Sequence, residues 1–153
     1  RETARANLYK NWYLIKKLWV WGNRFLLTTS IFSLLVGCLI GLYGGSLLNE
    51  EQKAVFLIGL VTIPLVAFSY KYSASIQGLS YVVLAQFPDK ILRPILLLAL
   101  IFITDRVWGG DKLTPGYTMV IYSVVAFIVL VVSVIILKKL EPKEIKQINK
   151  SKP

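Results

Sequence analysis

Along the chain, long uninterrupted apolar runs alternate with short segments that hold nearly all the charge. A helix rises about 1.5 Å per residue, so roughly 20 apolar residues are needed to cross a hydrocarbon layer about 30 Å thick. Inside that layer every backbone amide and carbonyl must bond within its own segment, which favours helices. Four runs meet or approach the required length, at about 25–48, 54–72, 88–105 and 113–137. The pattern therefore predicts an all-α integral membrane fold with four transmembrane helices within residues 25–138. Pro64 is expected to kink the second span, and Pro88 suits the first turn of the third.

Two weaker stripes lie outside the long runs. Leu8, Trp12, Ile15 and Trp19 recur at helical spacing, with Lys10 and Lys17 on the opposite side. This predicts an amphipathic entry helix within residues 1–24, lying on the inner leaflet with its lysines at anionic headgroups. Ile76, Leu79, Val83 and Phe87 form a second stripe, too short to cross, and predict a short helix over 74–87. That helix either lies along the cytoplasmic side of the membrane or extends the third span as far as a break at Pro88. Residues 139–153 read as a basic cytoplasmic tail.

Composition agrees: 56% of residues are hydrophobic and 17% charged, and the mean hydropathy is +0.62. The formal net charge is +10. Because the charges sit in segments beside apolar runs, they suggest loops next to lipid, not a face that binds nucleic acid. Fifteen of the 18 lysines and arginines fall before the first span, between the second and third, at the third's foot, or in the tail. Lys53, Arg106 and Lys112 lie on the other side. The positive-inside rule then puts both ends in the cytoplasm. Asn49, Glu50 and Glu51 predict a tight external turn, and Trp108, Gly109, Gly110, Asp111, Thr114 and Pro115 a longer one. A single cysteine, Cys38, excludes an internal disulfide framework and reads as an apolar filler. Without histidine there is no Cys/His zinc site, and no metal, cofactor or catalytic constellation is expected. The chain opens on Arg1 and its first methionine is Met119, so it reads as an internal or processed fragment.

Chemistry, if present, centres on Arg93, the one ionisable residue noticeably inside a span. It stands five residues past Pro88, about 8 Å along the helix, and Asp89 lies four residues before it on the same face. Either the arginine snorkels beside Asp89 at the inner interface, or it lines a cationic surface in a helix bundle that holds phosphate through its planar fork of donors. Lys90 and Arg24 are weaker candidates for the same phosphate, each nearer the headgroups. No acidic residue lies deep in the hydrocarbon, which speaks against a proton-coupled exporter built on a buried carboxylate. Gly37 and Gly41 have the spacing of a small-residue packing motif, and Gly44 and Gly45 suggest packing or a hinge at the outer end.

The stretch from Ser75 to Leu100, SIQGLSYVVLAQFPDKILRPILLLAL, resembles a segment of bacterial polysaccharide and O-antigen flippases, within the multidrug/oligosaccharidyl-lipid/polysaccharide superfamily. The elements that carry the resemblance are Gly78, Leu79, Gln86, Phe87, Pro88, Asp89, Leu92, Arg93 and Pro94. At Gln77 and Tyr81 the chain is neutral where family members often carry basic residues, so the short helix is assigned no headgroup contact. The resemblance implies a parent of 12–14 helices in two bundles, of which this chain is a fragment. It also implies alternating access, with a polyprenyl-diphosphate-linked oligosaccharide entering a cationic cavity from the cytoplasm while its tail stays among the membrane lipids. The remaining helices of the parent chain would complete that cavity. The expectation is thus a partial flippase of the bacterial inner membrane. The alternative is a four-span scaffold or anchor, without transport, that binds a partner through its basic ends.

Overall fold

The computed structural model describes residues 2–43, 49–108 and 114–142. Among them the chain is entirely helical in its regular structure. In order come α1 (Glu2–Leu8), α2 (Trp12–Tyr43), α3 (Glu50–Gly78), α4 (Val82–Phe87), a π-helical turn (Pro88–Leu92), α5 (Arg93–Trp108) and α6 (Pro115–Leu140). Three helices are long and apolar enough to cross a membrane: Trp12–Gly41, Glu51–Gly78 and Pro115–Leu140, whose most apolar windows have mean hydropathies of 1.8, 1.9 and 3.2. The fourth expected span, 88–105, takes the form of a five-residue π turn leading into a 16-residue helix. Alone, that helix rises about 24 Å, short of a full crossing.

Local chemistry sets the helix starts. The Asn11 side-chain oxygen accepts the Leu14 amide at 3.1 Å and opens α2. Asn49 opens α3, its own amide donating 3.1 Å to the Gln52 side chain. Thr114 caps α6 by accepting the Tyr117 amide, and Pro115 fills a first-turn position where a missing N–H costs nothing.

The two weaker stripes fold differently from the sequence expectation. The entry segment is not one surface helix: the chain turns at Lys10, in a left-handed conformation with φ 50°, and residues from Trp12 onward continue unbroken into the first long helix. That turn removes Leu8 from its stripe, leaving it 83% exposed, while Ile15 at 0% packs on Ala6, Trp12 and Trp19. The expected helix over 74–87 is likewise divided. Residues through Gly78 belong to α3, Ser80 takes φ 75°, and α4 begins at Val82. Pro88 does not break the chain of helices. The Arg93 amide bonds to the Pro88 carbonyl, a ring one residue wider than in an α-helix. Pro94 supplies the reason: its ring crowds the carbonyl four residues back, and a widened turn makes room. Pro64 sits within α3, which runs on through it.

α3 and α6 run parallel and share the most extensive interface, with α2 antiparallel on α3 and α5 antiparallel on α6. Near the middle the Thr62 and Ser123 hydroxyls hydrogen-bond across α3 and α6. At one end Ile76, Leu79, Ala85 and Leu137 form a core joined by Trp19 and Tyr72. The α2–α3 contact is tightest at a glycine. A Cβ at Gly37 would lie 2.2, 2.5 and 2.9 Å from side-chain atoms of Leu60, whereas one at Gly41 would meet Leu57 at an ordinary 3.7 Å. Gly37→Leu is expected to lower stability in detergent by about 1–3 kcal/mol, while Gly41→Ala changes little. Thermal unfolding of both variants checks this, and equal losses would show that Gly37 has no special role. Cys38 is exposed on α2. Gly44, Gly45, Gly109, Gly110, Asp111, the start of the fourth run at 113 and the tail from residue 143 lie outside the described residues.

This up-and-down course gathers residues 2–24, 71–93 and 133–142 at one end of the bundle. Among the described residues that end holds ten lysines and arginines, and the opposite end two, Lys53 and Arg106.

Candidate functional site

The site grows from the π turn. Widening the helix at Pro88–Leu92 leaves Asp89 and Arg93 on the same side, turned toward α3. The Arg93 Nη2 to Asp89 Oδ1 distance is 2.7 Å, with the side chains 10% and 8% exposed. α3 supplies two hydroxyls one turn apart: Ser73 donates to Asp89 Oδ2 at 3.0 Å and Ser69 to Oδ1 at 3.4 Å. Both serines are buried. The guanidinium also lies 5.6 Å from the ring centroid of Tyr70, within reach of a cation–π contact. The result is a buried polar cluster built around an ion pair.

Its electrostatics are unequal. The carboxylate has two hydroxyl donors and a cation, so its oxygens are well supplied. The guanidinium has charge compensation but poor hydrogen bonding: Nε and Nη2 find no aligned acceptor despite the short distance to Asp89. A buried group with spare donors carries a desolvation cost that an anionic oxygen would relieve.

The other two candidates do not join it. Lys90 and Arg24 are exposed, and their side chains make no ion pair or hydrogen bond among the described residues. A neighbouring link uses a lysine that the sequence reading placed only among the loop charges. Lys71 Nζ donates to Asn23 Oδ1 at 2.6 Å, ties α3 to α2, and lies 4.6 Å from the Tyr72 ring centroid.

Beyond the cluster, an open groove of about 390 Å³ runs between α3 and α6, lined by apolar side chains with Thr62, Tyr70 and Tyr122. Tyr70 therefore stands between that groove and Arg93. Ser69 and Ser73 do not stand out in the sequence, because lone serines carry little signal. A usable one existed: Thr62, Ser69 and Ser73 fall at steps of seven and four, a polar stripe on one face of an apolar helix. Among the described residues no group of His, Cys, Asp or Glu could hold a metal. No protein-family model, curated protein or solved structure matches this chain.

Proposed function

We propose that the chain is the membrane-embedded part of a flippase that carries lipid-linked polysaccharide or O-antigen repeat units across the bacterial inner membrane by alternating access. The observation that carries this reading is the buried Asp89–Arg93 pair, whose guanidinium keeps unsatisfied donors. Ionisable groups inside membrane bundles are costly, and proteins keep them where they serve transport or binding. In the proposed cycle Arg93 meets the diphosphate of a polyprenyl-linked oligosaccharide, Lys90 and Arg24 attract it from the headgroup region, and the polyprenyl tail stays in lipid. No covalent bond is made and no cofactor is used.

Several features support the reading. The segment resembling the flippase family folds around one place: Gly78 and Leu79 end α3, Pro88 opens the π turn, and Asp89 and Arg93 pair within reach of Ser69 and Ser73. α4, the π turn and α5 follow end to end in six, five and 16 residues. Together they rise roughly 40 Å, enough for a fourth span with a cytoplasmic foot. In the most apolar windows of α2, α3 and α6 only 6%, 17% and 33% of positions are buried. Such bare faces suit further helices of a longer parent chain packing beside them. The one-ended distribution of cations supports a cytoplasmic location for both ends. Reporter fusions at Arg1 and Pro153 are expected to read the same side, and opposite sides would remove that topology.

The deciding experiment is complementation of a strain lacking its own flippase. The gene for the parent chain restores surface glycan, and its Arg93→Ala form loses most of that export while accumulating in the membrane at the same level. No restoration by the unmutated parent removes the transport reading. Restoration unaffected by Arg93→Ala removes the site. A second reading, a membrane scaffold, draws support from Gly37, whose small-residue face is covered within the chain by Leu60. It predicts no restoration by either form.

A further inference from the structure

The elbow between α1 and α2 forms a small surface hollow that the proposed transport does not use. Lys10, at φ 50°, reverses the chain there, and the Asn11 amide bonds back to the Ala6 carbonyl at 2.9 Å, so α1 folds against the start of α2. The fold leaves an open hollow of about 320 Å³ lined by Arg5, Ala6, Tyr9, Asn11 and Leu14. Its polar side chains can all donate. The Arg5 guanidinium makes no ion pair among the described residues, Tyr9 offers a phenol, and Asn11 has its oxygen engaged by the Leu14 amide, leaving its N–H₂ to donate. Among the described residues no acidic side chain lines the hollow. Its floor is apolar, with Ala6 2% exposed.

We propose that this elbow binds the headgroup of an anionic phospholipid. An anion is selected because a guanidinium, a phenol and an amide line the hollow with no carboxylate among its described lining residues. A lipid is selected because the cavity has apolar shoulders. Leu8, Tyr9 and Tyr13 are large, largely exposed side chains beside Lys10 and Lys17, the mixture that settles at the boundary between headgroups and acyl chains. A freely soluble phosphate would gain nothing from those side chains. The volume suits a phosphate with its glycerol, near the lower end for small-molecule sites. The elbow lies at the same end as the other cations, where an anionic leaflet would face it. The site stands independently of the proposed transport activity, since it needs only that α1 meets lipid.

The test reconstitutes the full 153-residue chain in phosphatidylcholine vesicles doped with fluorescent phosphatidylglycerol or fluorescent phosphatidylcholine. Energy transfer from the protein's tryptophans reports local enrichment of the labelled lipid. The unmutated chain is expected to prefer labelled phosphatidylglycerol. Arg5→Gln reduces the preference about fivefold, the effect of one basic residue at a lipid surface, and Tyr9→Phe reduces it to a lesser degree. Both side chains are exposed, so folding is untouched, and circular dichroism confirms it. Arg106→Gln, at the opposite end, leaves the preference unchanged. Three results would overturn the site: Arg5→Gln and Tyr9→Phe retaining full preference, Arg106→Gln losing as much as Arg5→Gln, or glycerol phosphate in solution displacing the labelled lipid.

Discussion

Asp89→Ala is expected to lower the unfolding free energy in detergent by about 3–5 kcal/mol, the cost of leaving one member of a buried ion pair without its partner. The Arg93 side chain is only 10% exposed and already lacks hydrogen-bond partners for Nε and Nη2. With the carboxylate gone, the Tyr70 ring is what remains to attract the guanidinium among the described residues, and a desolvated cation–π contact is worth about 2 kcal/mol. Replacing both members with apolar groups, as in Asp89→Leu with Arg93→Met, should recover most of the loss, because buried pairs exchanged whole for hydrophobic residues are often neutral. Ser73→Ala sits between these extremes at about 1–3 kcal/mol, since it removes one donor from a buried carboxylate. Equilibrium unfolding of the four proteins orders them. If Asp89→Ala proved as stable as the unmutated chain, Arg93 would have to be relieved by water, and the cluster would be an interfacial pair with no strain to store.

The second large effect is expected at Ile15. Ile15→Ala should cost about 2–5 kcal/mol of local stability, the usual range for emptying a filled apolar site. Ile15 is fully enclosed by Ala6, Trp12 and Trp19, and these contacts hold α1 against the body of the bundle. Beyond them α1 has a long Asn7 to Ser80 hydrogen bond of 3.4 Å. Amide hydrogen exchange across residues 2–11 should accelerate in Ile15→Ala and stay slow in α3 and α6. Leu8→Ala is the matched control. It belongs to the same sequence stripe yet stands in solvent or lipid, so it should change stability by no more than about 0.5 kcal/mol. Equal effects at the two positions would mean that α1 does not dock as described.

That contrast marks where the sequence was readable and where it was not. Apolar runs identify α2, α3 and α6 because a bilayer demands length and lack of charge, and both can be read directly. The close approach at Gly37 was legible for a similar reason, since small residues at a four-residue step admit a neighbouring helix. The feet of the helices were harder. A stripe from Leu8 to Trp19 looks continuous on paper, but one left-handed residue, Lys10, resets the helix and leaves Leu8 outside. Pro88 reads as a helix start, yet Val82–Phe87 runs straight into it through a widened turn, which no propensity signals. The Asp89–Arg93 pair followed from spacing alone. Its partners on α3 did not, because Ser69 and Ser73 precede Asp89 by 20 and 16 residues, and only the folded course of the chain brings them together.

The widened turn also changes how substitutions along this helix should be compared. One surplus residue corresponds to about 100° of rotation, so a helical wheel drawn through Val82–Trp108 mixes two different phases. Val83 and Phe87 belong to one wheel, and Leu96, Leu97 and Leu100, packed on α6, to another. Loss of a single residue between Pro88 and Leu92 would fuse the wheels and swing the outer half by that angle against a stationary base. A one-residue deletion at this point therefore acts mainly through rotational phase, since it shortens the helix by only about 1.5 Å.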